Sequence, residues 1–287
     1  MKFFGCILVA AGSLVLTDFV ASSPVKSMLD FKREHPTFLN STGRIINGIT
    51  ATNGQFPYQA RIILTSGSNQ GICGGSIIST AWVLIAAHCT VSVSSYRVEA
   101  GFFTANSEAE QSSPVSSSNV FVHDGFNGET LANDIALLKL DNPFTISALV
   151  GTISLVAQGT DMSQFLGDPV TVSGFGVTSD RQTASLSEVL LYTSDTLLIT
   201  SSQCLSEYGR EPIPIETSFC IYDSTSSISG FCSGDSGGPC TLSISGATTL
   251  AGVISYVSNR GCDDRPQGCT DLSKLRSWVD QKMAENP

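Results

Sequence analysis

Residues 230–240 of the chain read Gly-Phe-Cys-Ser-Gly-Asp-Ser-Gly-Gly-Pro-Cys. The glycines on either side of Ser236 permit a sharply turned backbone, because glycine accepts positive φ without strain. They also leave main-chain N–H groups unhindered, and two such groups aimed at one point can stabilise an oxyanion. A Gly/Ser surface turn is the alternative interpretation. The stretch therefore predicts a reactive serine, provided that the chain also supplies a base and a carboxylate to orient it.

The composition and the first residues indicate an exported, folded protein. The chain has 287 residues, of which 41% are hydrophobic and 14% are charged, which is enough to form one or two cores. Met1-Lys2 followed by the apolar run 3–16 is typical of a secretory signal peptide, and we place its cleavage after Ser22. No later segment resembles a membrane-spanning helix, so we expect a secreted, extracellular protein without membrane association.

The cysteine count and the net charge narrow the possible partners. Nine cysteines are present, and Cys6 lies in the signal peptide, which leaves an even number in an oxidising compartment. Structural zinc is the alternative, but none of them forms a C-x-x-C pair, so no metal and no other cofactor is expected. The formal net charge of -10 argues against nucleic acid as a partner.

The pattern of apolar residues predicts an all-β architecture. Short apolar or alternating runs are separated by Gly, Ser, Asn and Pro, which is typical of a sandwich or barrel, although no internal repeat proves a duplication. Helical periodicity is confined to a short segment near residues 202–208 and to a C-terminal stripe that contains Leu272, Leu275 and Trp278. The predicted strands cover residues 58–64, 75–79, 82–87, 97–103, 119–122, 135–140, 169–175, 188–198, 218–222, 241–244 and 248–256.

The segment 23–44 is polar and aperiodic, and the junction that follows it carries the first family resemblance. Arg44 precedes Ile45-Ile46-Asn47-Gly48, which resembles the activation site of the chymotrypsin-type (trypsin-like) secreted serine endopeptidases. Arthropod chymotrypsin-like, elastase-like and collagenolytic enzymes are the most similar in general appearance. The resemblance implies a zymogen, an activating protease that cuts after Arg44, and a new Ile45 ammonium that pairs with Asp235. The one N-x-S/T sequon, at Asn40, lies in this leader.

Three histidines are candidates for the base, and one of them matches the family. His35 would leave with the leader, and His123 lies in a polar turn that reads as an exposed loop. His88 ends an apolar run in Ala-Ala-His-Cys, which matches the base motif of these proteases. Asp134, in Asn-Asp-Ile-Ala-Leu-Leu, is by resemblance the carboxylate that orients His88, and Ser236 is the nucleophile. This chain order is that of the chymotrypsin type.

The resemblance covers nearly all of 45–287 and implies a fold and a reaction. The implied fold is two six-stranded antiparallel β-barrels with a C-terminal helix and the active site between the barrels. The implied reaction is hydrolysis of peptide bonds through an acyl-enzyme, with the N–H groups of Gly234 and Ser236 as the oxyanion hole. Protein or peptide substrates, protein protease inhibitors and a monomeric state are implied as well. The expected divisions are signal peptide 1–22, activation propeptide 23–44, barrels at about 56–150 and 160–272, and helix 272–285.

The pairing of the eight remaining cysteines is open on sequence alone, because about 105 connectivities are possible. The family supplies three pairs, and Cys240 and Cys269 remain at positions where relatives usually carry apolar or aromatic residues. The resemblance places their strands close together, so we infer a fourth bond. The expected disulfides are Cys73–Cys89, Cys204–Cys220, Cys232–Cys262 and Cys240–Cys269.

By motif position, the specificity pocket departs most from the family pattern. Gly230 stands where trypsin-like enzymes carry the aspartate that receives Lys or Arg, and Phe231 stands where a small residue is usual. In the wall segment that starts at Ser255, Val257 replaces glycine, as in elastases, and Gln267 is expected to intrude further. Small aliphatic residues are therefore the expected preference at the cleaved bond, with aromatic residues as the second possibility. An alternative keeps Phe231 out of the pocket, packed inside the barrel.

Two other functions and one ion site remain open at this point. The main alternative is an inactive protease homologue that acts as a binding protein, for which the unusual pocket is the support. A cascade protease with one physiological substrate is a second alternative, although no extra module favours it. Glu108 and Glu110 could belong to a calcium loop, but two glutamates in a Ser-rich loop are expected to be solvated.

Overall fold

The computed structural model describes residues 45–104, 108–177, 186–223, 229–262 and 264–287, together with the backbone of residues 26–27. Predictions on the signal peptide, His35, Asn40 and Arg44 fall outside these residues. The strands are β1 (Lys26–Ser27), β2 (Ile49–Thr50), β3 (Gln59–Ser66), β4 (Asn69–Ser79), β5 (Trp82–Ile85), β6 (Ser95–Ala100), β7 (Gln111–Val115), β8 (Val120–Val122), β9 (Ala136–Lys139), β10 (Ser154–Leu155), β11 (Thr171–Gly174), β12 (Leu191–Thr193), β13 (Leu197–Ile199), β14 (Ser218–Tyr222), β15 (Pro239–Ile244), β16 (Ala247–Val257) and β17 (Gln267–Asp271). The helices are α1 (Ser201–Tyr208) and α2 (Leu272–Glu285), and 3₁₀ turns occupy Ala87–Thr90, Ser117–Asn119 and Met162–Phe165.

The first half of the chain forms one antiparallel sheet in the order β7-β6-β3-β4-β5-β9-β8. Its β-branched and leucine side chains turn inward and are fully buried, among them Ile62, Leu84 and Leu137. Each such side chain contributes about 1.5–3 kcal/mol of burial free energy, so the closed core is what holds these strands together. The 3₁₀ turn Ala87–Thr90 follows β5 directly, at the end of this sheet.

The second half forms a sheet in the order β13-β14-β17-β16-β15-β11-β12-β2. Strand β16 is its centre, because β15 and β17 both pair with it and the short strand β10 joins it in parallel. The core of this sheet includes Val172, Ile221 and Ile254, all fully buried. The loop that carries Ser236 leads straight into β15.

Two helices complete the fold of the described residues. Helix α1 begins with a capping box in which the Thr200 hydroxyl accepts from Gln203 N and the Gln203 side chain accepts from Thr200 N. Helix α2 begins after Asp271, whose carboxylate accepts from Ser273 N. The predicted stripe on α2, including Leu275 and Trp278, packs into the hydrophobic cluster of the first sheet. The C-terminal helix therefore ties the second half of the chain to the first.

The predicted fold class is confirmed: two curled antiparallel sheets and a C-terminal helix are present. Among the described residues the sheets contain seven and ten strands. These counts exceed the six expected for each barrel because strands of two or three residues, such as β2, β8 and β10, join the edges.

Strand β1 was not expected, since residues 26–27 are polar and lie in the leader. It runs antiparallel to the end of β16, with Lys26 opposite Val257 and Ser27 opposite Tyr256. Strand β15 begins only at Pro239, opposite Val253, so β1 pairs with β16 beyond the start of β15. Backbone hydrogen bonding needs no particular side chain, which explains why a polar dipeptide can pair here.

Candidate active site

His88 lies in the 3₁₀ turn after β5, and its side chain is almost completely buried. Its backbone N–H donates to Asp134 Oδ1 at 2.8 Å, and its Nδ1 lies 2.7 Å from Asp134 Oδ2. Both oxygens of one carboxylate therefore hold the same residue, which fixes the orientation of the imidazole ring. The Cys73–Cys89 disulfide closes the turn next to His88.

Asp134 is fully buried and lies two residues before the start of β9. An ionised carboxylate in such a place needs several donors, because burying an unpaired charge is costly. A third donor is Ser255, whose Oγ lies 2.5 Å from Asp134 Oδ2, and Thr270 Oγ1 donates to the main-chain oxygen of Asp134 at 2.9 Å. The second sheet thus supplies two hydroxyls to a residue of the first.

Neither contact is evident from the sequence. Ser255 is expected by motif position in the wall of the specificity pocket, whereas its hydroxyl binds Asp134, and no motif includes Thr270. A serine or threonine in a strand carries no sign of which partner its hydroxyl reaches. The regular alternation of β17 could at most have indicated that Thr270 faces inward, on the side opposite Cys269.

The backbone of Ser236 is held next to the His88 turn. Gly74 N donates to Ser236 O at 2.8 Å, and Cys89 Sγ, which carries no proton in its disulfide, lies 3.7 Å from the same oxygen. Ser236 is 1% exposed, and its Oγ has no hydrogen-bond partner within the described ranges. An unbonded buried hydroxyl is unusual, so this oxygen is available for a proton acceptor that substrate binding brings into line.

Glycine is required at position 234 by both conformation and space. Gly234 has φ of 100°, and a Cβ there would come within 2.7 Å of Leu186 Cδ2 and 3.0 Å of Gly176 Cα. Its amide and that of Ser236 donate no hydrogen bond in the part of the chain that the structure describes. Two unhindered N–H groups beside a serine hydroxyl are what an oxyanion hole requires.

Asp235 points away from Ser236 into a cradle of glycines. Its Oδ1 accepts from Gly176 N at 2.7 Å and its Oδ2 accepts from Cys232 N at 2.9 Å. A Cβ at Gly174 or at Gly176 would overlap its carboxylate. Asp235 is fully buried. Because its carboxylate fills the space beside Gly174 and Gly176, no residue larger than glycine fits at either position.

The residues after the predicted activation junction are docked inside the protein. Ile45 is fully buried, and Ile46 forms a two-way bridge with Gly230, donating at 3.0 Å and accepting at 3.2 Å. The start of the predicted protease domain is thus attached to the segment that leads into the Ser236 loop. Arg44 itself is outside the described residues.

At the predicted specificity pocket, Gln267 occupies the space next to Gly230. A Cβ on Gly230 would overlap Gln267 Oε1, so only glycine fits beside this amide. Gln267 Oε1 accepts from Phe231 N at 2.9 Å, and Nε2 donates to Phe231 O and Cys262 O, both at 2.7 Å. The amide is neutral, buried and held by three hydrogen bonds, so its position is well defined.

The structure places Phe231 in the alternative position considered for it and Val257 at the end of β16. Phe231 is fully buried and belongs to the hydrophobic cluster of the second sheet, which is the alternative position considered for it. Packing in this core removes the whole ring from water, which a pocket wall would not do. Val257 ends β16 and is 2% exposed, and its backbone pairs with Lys26.

The other histidine and the glutamates lie apart from this cluster. The His123 ring contacts Trp278 of α2 in a tilted arrangement with 5.0 Å between ring centroids. Partial burial lowers the pKa of His123, with Asp124 opposing that effect. Glu108 and Glu110 are exposed. Within the described ranges, no group of three or more His, Cys, Asp or Glu side chains is arranged to hold a metal ion.

Four disulfides join cysteines in the described ranges, and they are the four pairs expected from the sequence. Two of them flank the site: Cys232–Cys262 borders the Gln267 amide, and Cys73–Cys89 borders His88. The remaining two are Cys204–Cys220 and Cys240–Cys269. Cys240 and Cys269 stand on β15 and β17, which both pair with β16.

Comparison with known proteins gives the same family at the level of sequence and of structure. The trypsin family model matches residues 45–279. Collagenase of Hypoderma lineatum is 34% identical over 252 residues, covering 86% of this chain and 91% of the relative. Brachyurin of Leptuca pugilator is 31% identical over 244 residues, covering 85% and 100%. The solved structure of HL collagenase superimposes with a TM-score of 0.71 at 32% identity, covering 84% of this chain and 99% of that one. The chain therefore belongs to the trypsin family of serine proteases.

Proposed function

We propose that the chain is a secreted serine endopeptidase in which His88, Asp134 and Ser236 carry out acyl transfer to water. The observation that carries this proposal is the buried Asp134 carboxylate, which holds His88 through N at 2.8 Å and through Nδ1 at 2.7 Å. The other ring nitrogen, Nε2, lies 3.8 Å from the disulfide sulfur of Cys89, which carries no proton, so Nε2 can take a proton from another group. The Ser236 backbone oxygen lies 3.7 Å from Sγ of Cys89, the residue next to His88, which supports Ser236 as the partner of His88.

The proposed reaction consists of acylation followed by deacylation, and the same three residues act in both steps. His88 Nε2 takes the Ser236 proton as Oγ bonds to the substrate carbonyl carbon, and the oxyanion is stabilised by the N–H groups of Gly234 and Ser236. The imidazolium then gives its proton to the leaving amine as the C–N bond breaks, which leaves an acyl-enzyme. Water repeats the sequence, with His88 as base and Ser236 as leaving group. Asp134 stabilises the imidazolium in both halves.

We infer that the protein is made as a zymogen with signal peptide 1–22, activation propeptide 23–44 and protease domain 45–287. Cleavage after Arg44 by an activating protease would free an ammonium on Ile45, which would pair with Asp235. The complete burial of Ile45 and the bridge from Ile46 to Gly230 support this, because a docked N-terminus must lie inside the protein. The pair would offset the cost of the buried Asp235 charge and stabilise the oxyanion loop.

The position of β1 supports a second effect of the leader. Extended peptides commonly bind proteases and other proteins by adding a strand to an exposed sheet edge. Residues 26–27 pair with Tyr256 and Val257 of β16, beyond the start of β15 and therefore on the side of the Ser236 loop. A leader held there would compete with a peptide substrate for the same backbone groups until it is removed.

For specificity we propose small aliphatic side chains at the cleaved bond. Gln267 occupies the volume beside Gly230, and its amide carries no charge that would attract Lys or Arg. Aromatic side chains are the second candidate. Cleavage rates for matched peptides with Ala, Val, Leu, Phe or Arg at this position test the proposal, and rapid cleavage after Arg would overturn it.

The decisive experiment for the function itself uses the full-length chain, secreted and then cut after Arg44. Peptide hydrolysis and covalent labelling by a fluorophosphonate should both appear after cutting, and both should be absent in Ser236→Ala. An activated wild-type protein without labelling would favour the alternative of a binding protein, and turnover by Ser236→Ala would reject the assignment. The same preparation tests the expected monomer, secretion and inhibition by protein protease inhibitors.

No helix in the described part of the chain has the length and apolar content that a membrane crossing needs.

A further inference from the structure

We propose that Arg61 is a positioning residue for the oxyanion loop, acting across the two barrels through Phe102 and Phe175. The inference rests on the proposed function, because it is tested by measuring kcat and the rate at which Ser236 is labelled. Three contacts lead from Arg61 on β3 to the glycine segment that holds Asp235.

The first contact is a buried ion pair within the first sheet. Arg61 and Glu99 stand opposite each other on β3 and β6, with Arg61 Nε 2.8 Å and Nη2 2.7 Å from Glu99 Oε2. The two side chains are only 10% and 9% exposed. A buried ion pair rarely stabilises a fold more than apolar residues of the same volume would. Its presence here therefore favours a role other than stability, namely the fixed orientation of the guanidinium.

The second contact places that guanidinium on an aromatic ring. Arg61 Cζ lies 4.4 Å from the centroid of the Phe102 ring and 6.0 Å from that of Phe175. The two rings contact each other in a tilted arrangement, with 5.0 Å between their centroids and an angle of 31° between their planes. Cation–π attraction is significant within about 6 Å and increases when the groups are desolvated. Arg61 therefore holds Phe102 in the position at which it meets Phe175.

The third contact transmits this position to Asp235. Phe175 lies between Gly174 and Gly176, and both glycines are required because a Cβ at either would overlap the Asp235 carboxylate. Phe175 is consequently the one residue of this segment whose side chain can anchor it. Its ring is 3% exposed, and the adjacent Gly176 N–H donates to Asp235 Oδ1 at 2.7 Å. A displaced Phe175 ring would move this amide and, with it, the residue next to Ser236.

The backbone around Phe102 is also joined to the second sheet. Leu190 N donates to Phe103 O at 2.9 Å, and Thr104 forms a bridge with Val189. Ser187 N in turn donates to Phe175 O at 2.9 Å. The loop that presents Phe102 is thus attached to the same stretch of chain that supports Phe175, which makes the contact between the two rings stiff enough to transmit a displacement.

The test replaces both members of the ion pair together. In Arg61→Met alone, the buried Glu99 carboxylate would keep its charge and would pair with Arg97, whose Nη2 is 3.1 Å away. In the activated enzyme, R61M/E99L is expected to lower kcat and the rate of fluorophosphonate labelling about tenfold, with KM and the urea unfolding midpoint unchanged. Arg61→Lys retains a cation over the ring and should recover part of the loss. Arg97→Met is the matched control: Arg97 Nη2 is 3.1 Å from Glu99 Oε1, but its side chain is 58% exposed.

A second measurement shows whether the effect passes through the rings. In a Phe102→Leu background, R61M/E99L should have a much smaller effect on kcat than it has in the wild type, because the coupled path is already broken. Unchanged labelling in R61M/E99L, an equal loss in Arg97→Met, or full additivity with Phe102→Leu would overturn the role of Arg61. Absence of labelling in the activated wild type would overturn the proposed function instead.

Discussion

Ser255 Oγ and Asp134 Oδ2 are 2.5 Å apart, and the same oxygen is the acceptor for His88 Nδ1. A hydrogen bond to a charged group contributes roughly 1.5–3 kcal/mol, and 1.4 kcal/mol is about a factor of ten in rate. We expect Ser255→Ala to lower kcat/KM by about tenfold, measured with a fluorogenic peptide. Ser243→Ala, on the exposed side of β15, is the control and should leave the rate unchanged. Full activity in Ser255→Ala would contradict a role for this contact.

The glycine cradle of Asp235 predicts a loss of activity without a change at the catalytic groups. In Gly174→Ala the added methyl group would overlap Asp235 Oδ1, so the aspartate must move and the oxyanion loop with it. We expect kcat to fall by at least about 100-fold, the effect of losing one oxyanion donor. Gly71→Ala is the matched control on β4, where the nearest atom to the new Cβ is 4.0 Å away. Equal activity of the two variants would contradict the prediction.

Gln267 predicts a change in substrate preference. Gln267→Ala opens the space beside Gly230, so a longer side chain can enter the pocket. The ratio of kcat/KM for Phe to that for Ala at the cleaved position is expected to rise by roughly 10- to 200-fold, the range for added methylenes in an apolar pocket. The same variant leaves Phe231 N and Cys262 O without their side-chain partner, so a lower unfolding midpoint should accompany the change. An unaltered ratio would show that Gln267 does not border the bound side chain.

The Cys240–Cys269 disulfide closes a loop of 29 residues between two strands on either side of β16. By loop entropy, replacing both cysteines with alanine should cost about 3–4 kcal/mol of unfolding free energy. Urea unfolding monitored by tryptophan fluorescence measures this loss. Because the bond does not contact His88, Asp134 or Ser236, kcat of the folded variant should be retained. A loss of kcat at low urea would indicate that the bond shapes the active site.

His123 predicts a pH dependence of stability. Burial against Trp278 lowers its pKa from 6.5, so below that pH the unfolded chain binds the proton more readily than the folded protein does. The stabilisation is thus present above pH 6.5 and is lost as the pH falls below it. His123→Gln should lose less unfolding free energy than the wild type between about pH 7.5 and 5.5. Parallel curves for the two proteins would contradict the lowered pKa.

Sequence motifs predicted the contact between His88 and Asp134 but not the hydroxyls that support Asp134. The segment Ala-Ala-His-Cys and the glycines around Ser236 have local backbone requirements, so they can be recognised without coordinates. The hydroxyl of Ser255 reaches Asp134 across 121 positions of sequence, and only the folded register of β16 brings them together. Phe231 shows the converse: position within the motif suggested the pocket, but an aromatic ring gains more by burial in the barrel core.

The strands were predicted where apolar residues alternate and missed where they do not. The run 248–256 nearly coincides with β16, Ala247–Val257, because almost every residue of that strand is buried. Strand β4 begins at Asn69, six residues before the predicted start at 75, since its first residues are polar or glycine and are held by pairing with β3. Tertiary pairing of this kind leaves no local pattern.

The hydrogen bonds around Asp134 join parts of the chain that are synthesised at different times. His88 and Asp134 belong to the first half, while Ser236, Ser255 and Thr270 belong to the second. A nascent chain that ends before Ser236 therefore contains the proposed base and carboxylate without the proposed nucleophile. The main-chain oxygen of Asp134 accepts its hydrogen bond from Thr270 of β17, so the contacts around this residue are complete only when the second sheet has been synthesised.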